Sequence, residues 1–186
     1  MTRRTAALLT AVILMGTLTV SACGRDLPAA LQVGTTSMAP SDREPMPDIS
    51  GSTLDGSTLD LVSLRGKVVV LNSWASWCEP CKKETPDLVT LSKTIDPTKV
   101  AIVGLNVTDD SAAANAFADE YDVGYPSIVD SDGHRLATIP GVPPKALPST
   151  VVIDASGRIA ARVIGAVDPV ELTGIVSAVS AETPGS

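Results

Sequence analysis

The chain has 186 residues, a net charge of −7, 44% hydrophobic residues and 3% aromatics. That length suits one ordinary domain with flanking segments and is enough to bury a sizeable core. The acidic balance excludes a nucleic-acid binder that works by phosphate neutralisation, and it leaves no basic patch for anionic lipid headgroups.

Residues 1–22 have the three parts of an export signal: Arg3 and Arg4, an apolar run from Ala6 to Val20, and small residues ending at Ala22. Threonines and Gly16 break the run, which is too short for a comfortable membrane span. Val20-Ser21-Ala22-Cys23-Gly24 is similar to the bacterial lipobox. The resemblance implies cleavage before Cys23 and lipid on its sulfur and new amino terminus. An ordinary secretory signal cut near Ala22 is the alternative, but it would leave a lone reactive thiol on an exported protein. Both readings place the protein outside the cytoplasm, where disulfides persist. Several acyl chains would then anchor it stably to the cell membrane. Removing Arg3 and Arg4 with the signal leaves 164 residues and a net charge of −9.

Residues 23–45 are rich in Pro, Ser, Thr, Ala and Gly without sustained periodicity, and read as a flexible tether with a stretched reach of about 70 Å. The folded domain is expected over 46–180, with 181–186 a disordered tail. Asp48 to Leu64 reads as a β-hairpin around Asp55-Gly56. Val68-Val69-Val70-Leu71 is a short apolar, β-branched run, hence a buried strand. The residues after Cys78 place Leu88, Leu91 and Ile95 on one face of a helix, with Pro80 in its first turn and Pro86 as an expected kink. Val100 to Val107 is a second buried strand, and Ser111 to Tyr121 a helix with Ser111 as its N-cap. Ser127 to Asp130 is a short strand closed by the turn Ser131-Asp132-Gly133. A Pro-rich loop from Gly141 to Pro148 leads to two antiparallel strands, Thr150 to Asp154 and Ile159 to Ile164. Asp168 to Val179 closes the domain as a helix capped by Asp168. The order predicts an α/β protein with a mixed central sheet and helices on both faces.

The chemistry concentrates in Trp77-Cys78-Glu79-Pro80-Cys81, where the first buried strand hands over to a helix. The unpaired N–H groups and positive end of that helix favour a thiolate on Cys78. Cys81 faces the same side, three residues on, and can close a small disulfide ring. A zinc site would need further ligands, and the chain offers only Cys23 and His134 beyond this pair. A purely structural bridge over so short a loop would remove little unfolded-state entropy. A two-electron redox centre, with no metal or other cofactor, is the reading the residues favour. His134, beside the Asp132-Gly133 turn, reads as a surface residue.

The Trp-Cys-Glu-Pro-Cys motif with its strand and helix, the segment Leu147-Pro148-Ser149-Thr150 and the closing hairpin and helix resemble the thioredoxin superfamily. The N-terminal hairpin, the extra αβ unit ending in Ser127 to Asp130 and the run Cys-Glu-Pro-Cys-Lys-Lys-Glu resemble its TlpA/ResA branch of bacterial thiol–disulfide oxidoreductases. The resemblance covers roughly Asp48 to Val179. It implies a thioredoxin-like fold with an N-terminal β-hairpin and a central αβ insertion. Cys78 would be the attacking thiol and Cys81 the resolving one. Trp77, Glu79 and Pro80 would border or tune the substrate site, with plain packing the alternative for Trp77. Pro148 would be the family's cis-proline, leaving backbone free to pair with a client strand, and Leu147 would flank the docked cysteine. Glu84 would be an active-site acid that takes a proton from Cys81, in place of the buried aspartate that thioredoxins carry where Asn72 stands here; a solvated helix carboxylate is the alternative. Ser73 stands where relatives often have an aromatic residue, which predicts a more open site.

These features imply a monomeric, membrane-tethered reductase of exported client proteins with CxxC cysteines, apocytochrome c among them, recharged by a transmembrane thiol–disulfide electron donor. An oxidase that donates its disulfide to folding exported proteins shares the same motif. A copper-binding chaperone and a thiol peroxidase are weaker alternatives.

Overall fold

The computed structural model of the chain describes residues 33–182. The expected signal peptide, Cys23 and residues 183–186 lie outside the described residues. In chain order the elements are β1 (Gly34–Ser37), β2 (Ser50–Ser52), β3 (Thr58–Asp60), β4 (Val68–Trp74), α1 (Glu79–Thr94), β5 (Val100–Val107), α2 (Ser111–Glu120), β6 (Ser127–Asp130), α3 (His134–Thr138), β7 (Ser149–Ile153), β8 (Ile159–Ile164) and α4 (Pro169–Ser180). None of the described helices is long and apolar enough to cross a membrane.

Six strands form one mixed sheet in the order β1-β8-β7-β4-β5-β6, and β2 pairs with β3 in a separate hairpin. β4, β5 and β6 run parallel, joined by the crossover helices α1 and α2, whereas β7 and β8 return antiparallel. β4 is buried along its whole length, which is why it reads as an unbroken apolar run rather than an alternating one. Val69 and Leu71 point to a core shared with Met46, Ile49, Leu105 and Ile128. Val68 and Val70 point to the opposite face, where Leu88 of α1 and Leu172 and Val176 of α4 pack. β4 therefore sits between two cores and delivers the residues that follow it to one end of the sheet.

The tether reading of residues 23–45 needs correction. β1 is the sixth strand of the sheet and pairs antiparallel with β8, Gly34 opposite Ile164 and Ser37 opposite Ala161. Arg43 is buried and donates to Asp154 Oδ2 at 3.0 Å and to both carboxylate oxygens of Glu182 at 2.5 and 2.7 Å. The domain thus begins at least twelve residues before Met46 and includes Glu182, in what was expected to be tail. β1 escaped notice because Gly-Thr-Thr-Ser is an edge strand whose side chains face solvent, so it carries no apolar alternation. Asp110, not Ser111, caps α2, its carboxylate accepting the N–H groups of Ala112 and Ala113 at 3.0 Å. α1 runs unbroken across Pro86. α3 was not anticipated; it has five residues and buries Leu136 completely.

Candidate active site

Cys78 is the N-cap residue of α1, with extended backbone dihedrals, and Pro80 occupies the first turn, where the missing N–H has no partner to lose. Cys78 and Cys81 are joined by a disulfide, with Cα atoms 5.2 Å apart. The Cys81 N–H points at Cys78 Sγ, 3.3 Å away. The helix start thus aims a backbone donor and its positive end at the first sulfur. Cys78 is 4% exposed and Cys81 0%, so the first cysteine is the more accessible, but only by an edge.

The aromatic-poor sequence suggested an open site, and the structure reverses that expectation. Trp74, missed in the sequence, packs with Ala75, Cys78, Cys81, Ala114 and Phe117 in one buried cluster. Trp74, Phe117 and Tyr121 stack in sequence with ring centroids 4.8 and 4.5 Å apart. Most of the chain's few aromatic residues are therefore spent beside the disulfide. Gly104 makes room for this: a Cβ there would come within 2.7 Å of Trp74 Nε1.

Trp77 is 59% exposed, and its indole N–H donates to the carbonyl of Thr108 at 3.1 Å. Thr108 holds φ at 50°, a rare conformation for a β-branched residue, next to the site. Asp109 follows and ties the loop before Cys78 in place. One of its oxygens accepts the Ser76 N–H at 2.6 Å and the Asn106 amide at 2.9 Å; the other accepts the Ser76 hydroxyl at 2.7 Å. Sequence reading missed Asp109, although an acidic residue just past the end of a strand parallel to β4 lands at the same edge of the sheet as the CxxC.

Leu147 and Pro148 are linked by a cis peptide bond. Leu147 packs against the cysteine cluster, and Pro148 is buried just before β7. The Pro148 carbonyl accepts the Gly165 N–H at 3.0 Å, while among the described residues neither the N–H nor the carbonyl of Leu147 has a hydrogen-bond partner. Ser73 stands opposite Ser149 in the sheet, its hydroxyl 2.6 Å from that of Ser149.

Glu84 is buried at 3% exposure, behind Cys81 on the same face of α1. One carboxylate oxygen accepts the Asn72 amide at 2.7 Å and the other the Val167 N–H at 2.9 Å. Asn72 also donates to the Thr150 hydroxyl at 3.1 Å. Burial pushes the Glu84 carboxyl up to about 7, against the smaller lowering effect of the two donors, with nearby Asp87 adding a little more. Glu79, by contrast, is exposed and pairs with Lys82 at 2.6 Å, and that bond draws its carboxyl below the usual range. His134 is exposed at the start of α3.

A family model described as the AhpC/TSA family matches residues 43–162. The thiol-disulfide oxidoreductase ResA of Bacillus subtilis (strain 168) is 36% identical over 111 residues, 60% of this chain and 60% of that protein. The ResA protein of Bacillus thuringiensis (strain Al Hakam) is 30% identical over 134 residues, 72% of this chain and 76% of the relative. Among solved structures, a secreted thiol-disulfide isomerase from Corynebacterium glutamicum superimposes with a TM-score of 0.75 and 29% identity, over 80% of this chain and 92% of that one. With a sheet of thioredoxin type and a Cys-Glu-Pro-Cys disulfide at a helix start, the chain belongs to the AhpC/TSA family, among the thioredoxin-like thiol–disulfide oxidoreductases.

Proposed function

We propose that the protein is an extracytoplasmic thiol–disulfide reductase, tethered to the membrane by lipid on Cys23, that reduces disulfides of exported client proteins with CxxC cysteines. The observation that carries the direction is the burial of both sulfurs beside a buried carboxyl, Glu84. A desolvated site with a neighbouring carboxylate disfavours thiolates, and a disulfide whose thiolates are poorly stabilised is a weak oxidant and, once reduced, a strong reductant.

In the reaction, the Cys78 thiolate attacks a client disulfide and releases one client thiolate. Cys81 then loses its proton to Glu84 and attacks the Cys78 sulfur. The second client thiolate leaves, and the Cys78–Cys81 disulfide forms. The client gains two electrons and two protons. A transmembrane dithiol donor returns the two electrons to the protein, which acts as a monomer. Client backbone pairs with the unengaged N–H and carbonyl of Leu147 beside cis-Pro148, a contact largely indifferent to client sequence. Trp77, Glu79 and Pro80 border that contact. The ResA-like run from Cys78 to Glu84 supports an apocytochrome c CxxC as one such client.

The test is trapping. Reduced Cys81→Ser protein, mixed with an oxidised CxxC peptide, is expected to accumulate a mixed disulfide through Cys78, and Cys78→Ser protein to form none. Equal trapping by both variants would overturn the assignment of roles.

A second reading, a folding oxidase, draws on the helix start and the Cys81 N–H at Cys78 Sγ, which favour a thiolate there. It predicts fast oxidation of a dithiol peptide by the disulfide form and slow reduction of the disulfide peptide. Direct peroxide turnover would point instead to a thiol peroxidase, and tight copper binding lost in Cys78→Ser to a copper chaperone.

A further inference from the structure

Two polar residues interrupt the buried strand β4 just before the redox motif. Asn72 and Ser73 are both buried and, being consecutive in a strand, point to opposite faces of the sheet. A buried polar group is costly unless it is hydrogen-bonded, so the partners of each carry meaning. The Asn72 amide is engaged by Glu84 and Thr150. The Ser73 hydroxyl meets one residue, buried Ser149 of β7. Its oxygen accepts the Ser149 N–H at 3.1 Å, and its O–H donates to the Ser149 carbonyl at 3.0 Å. With that assignment the Ser149 hydroxyl donates to Ser73 Oγ across the 2.6 Å between the two oxygens, and every donor of the pair is used.

Ser149 directly follows Pro148. The Pro148 carbonyl and the Ser149 N–H are the two polar ends of one planar peptide unit. The Gly165 N–H holds the first at 3.0 Å, and Ser73 Oγ holds the second at 3.1 Å. With both ends bonded, the plane of that unit is fixed against the sheet. The pyrrolidine ring locks φ of Pro148. Only ψ of Pro148 is left between this unit and the preceding one, and burial of the ring restricts it. The preceding unit carries the Leu147 carbonyl, which has no hydrogen-bond partner among the described residues. The hydroxyl at position 73 therefore acts, through Ser149 and Pro148, on the backbone left free beside the cysteines. An apolar side chain there would leave the Ser149 N–H and hydroxyl without this partner.

We infer that Ser73 is a positioning residue for client docking: its hydroxyl fixes the Pro148–Ser149 peptide and so aims the free Leu147 backbone with which a client strand pairs. This inference rests on the client pairing proposed above at Leu147. It gives Ser73 no part in the thiol chemistry, since its side-chain bonds go to Ser149 and none goes to a cysteine.

The test compares two disulfides: an oxidised CxxC peptide, which can pair along a strand, and hydroxyethyl disulfide, which has no peptide backbone. The full chain, reduced beforehand, is reacted with each, and the ratio of the two second-order rate constants gives its preference for the peptide. Ser73→Ala is expected to lower that preference about fivefold, the size of one net hydrogen bond. Ser73→Thr, which keeps a hydroxyl, should restore most of it. Ser149→Ala keeps the backbone bonds to Ser73 and should lower the preference less than Ser73→Ala does. An unchanged ratio in Ser73→Ala would overturn the inference, even if both reactions slow together as a general loosening of the fold would make them. Equal losses in Ser73→Ala and Ser149→Ala would overturn it too, because the backbone bonds would then carry nothing. Wild-type protein that prefers the peptide no more than free dithiothreitol does would instead overturn the client pairing at Leu147 itself.

Discussion

Glu84 is a buried carboxyl one helical turn beyond Cys81, and the proposed mechanism makes it the proton acceptor for that thiol. Its carboxyl titrates near 7 in the folded protein because burial opposes its charge. The folded state therefore holds this proton more tightly than the unfolded chain between the ordinary carboxyl range and about 7. Its contribution to stability is full at low pH and is lost as pH rises through 7, by about 3 kcal/mol in all. In the disulfide form, denaturant unfolding should show Glu84→Gln gaining on the wild type by up to that amount between pH 5 and pH 8. A difference that does not vary with pH would contradict the buried, titrating carboxyl. In the proposed turnover the sign reverses. Glu84 accepts a proton only as the carboxylate, so the resolving step should accelerate as pH rises through 7, and Glu84→Gln should flatten that rise. Asp109 works on geometry alone. Asp109→Ala leaves the Ser76 N–H and the Asn106 amide without their acceptor, which should cost about 1–3 kcal/mol and slow client turnover. Asp109→Asn, which keeps an acceptor, should recover part of both.

At the scale of elements, the strand before Cys78 and the helix after it were legible because four consecutive β-branched or leucine residues and the Leu88-Leu91-Ile95 spacing leave little choice. Both N-terminal hairpin strands were legible from Asp55-Gly56. β1 was not, since a solvent-facing edge strand is recognised by its partner rather than by its own residues. Nor was Arg43, whose partners lie 111 and 139 residues away. Glu84 could be placed near Cys81 by helical spacing, but its burial depends on Asn72 and Val167, which only the fold brings to it. Asp109 sits in a loop with no periodicity to locate it. The Arg43 clamp gives a prediction at this scale. Arg43→Met leaves Asp154 uncompensated in a mostly buried site and should cost about 3 kcal/mol by denaturant unfolding. Glu182 is about a third exposed, so Glu182→Gln should cost no more than about 1 kcal/mol. A chain cut to start at Met46 loses β1 and the clamp together, and should unfold at distinctly lower denaturant than one starting at Val33. Equal midpoints would show that β1 adds nothing to the domain.

For the whole molecule, the sheet gathers the CxxC and the cis-proline loop at one end. Direction of electron flow is a property of this assembly. The helix start favours a thiolate on Cys78, while burial of both sulfurs and the presence of Glu84 oppose one. Burial acts on both cysteines and the helix end mainly on one, and the proposed reductase requires that burial prevail. The most direct measurement is the reduction potential of the Cys78–Cys81 pair at pH 7, taken by equilibrating the domain from Val33 onward against dithiothreitol buffers. A value near or below about −270 mV, the thioredoxin region, is expected of a reductase with a dedicated electron donor. A value close to about −120 mV, that of a strong oxidant, would contradict the reductase and make the folding oxidase the function of this site.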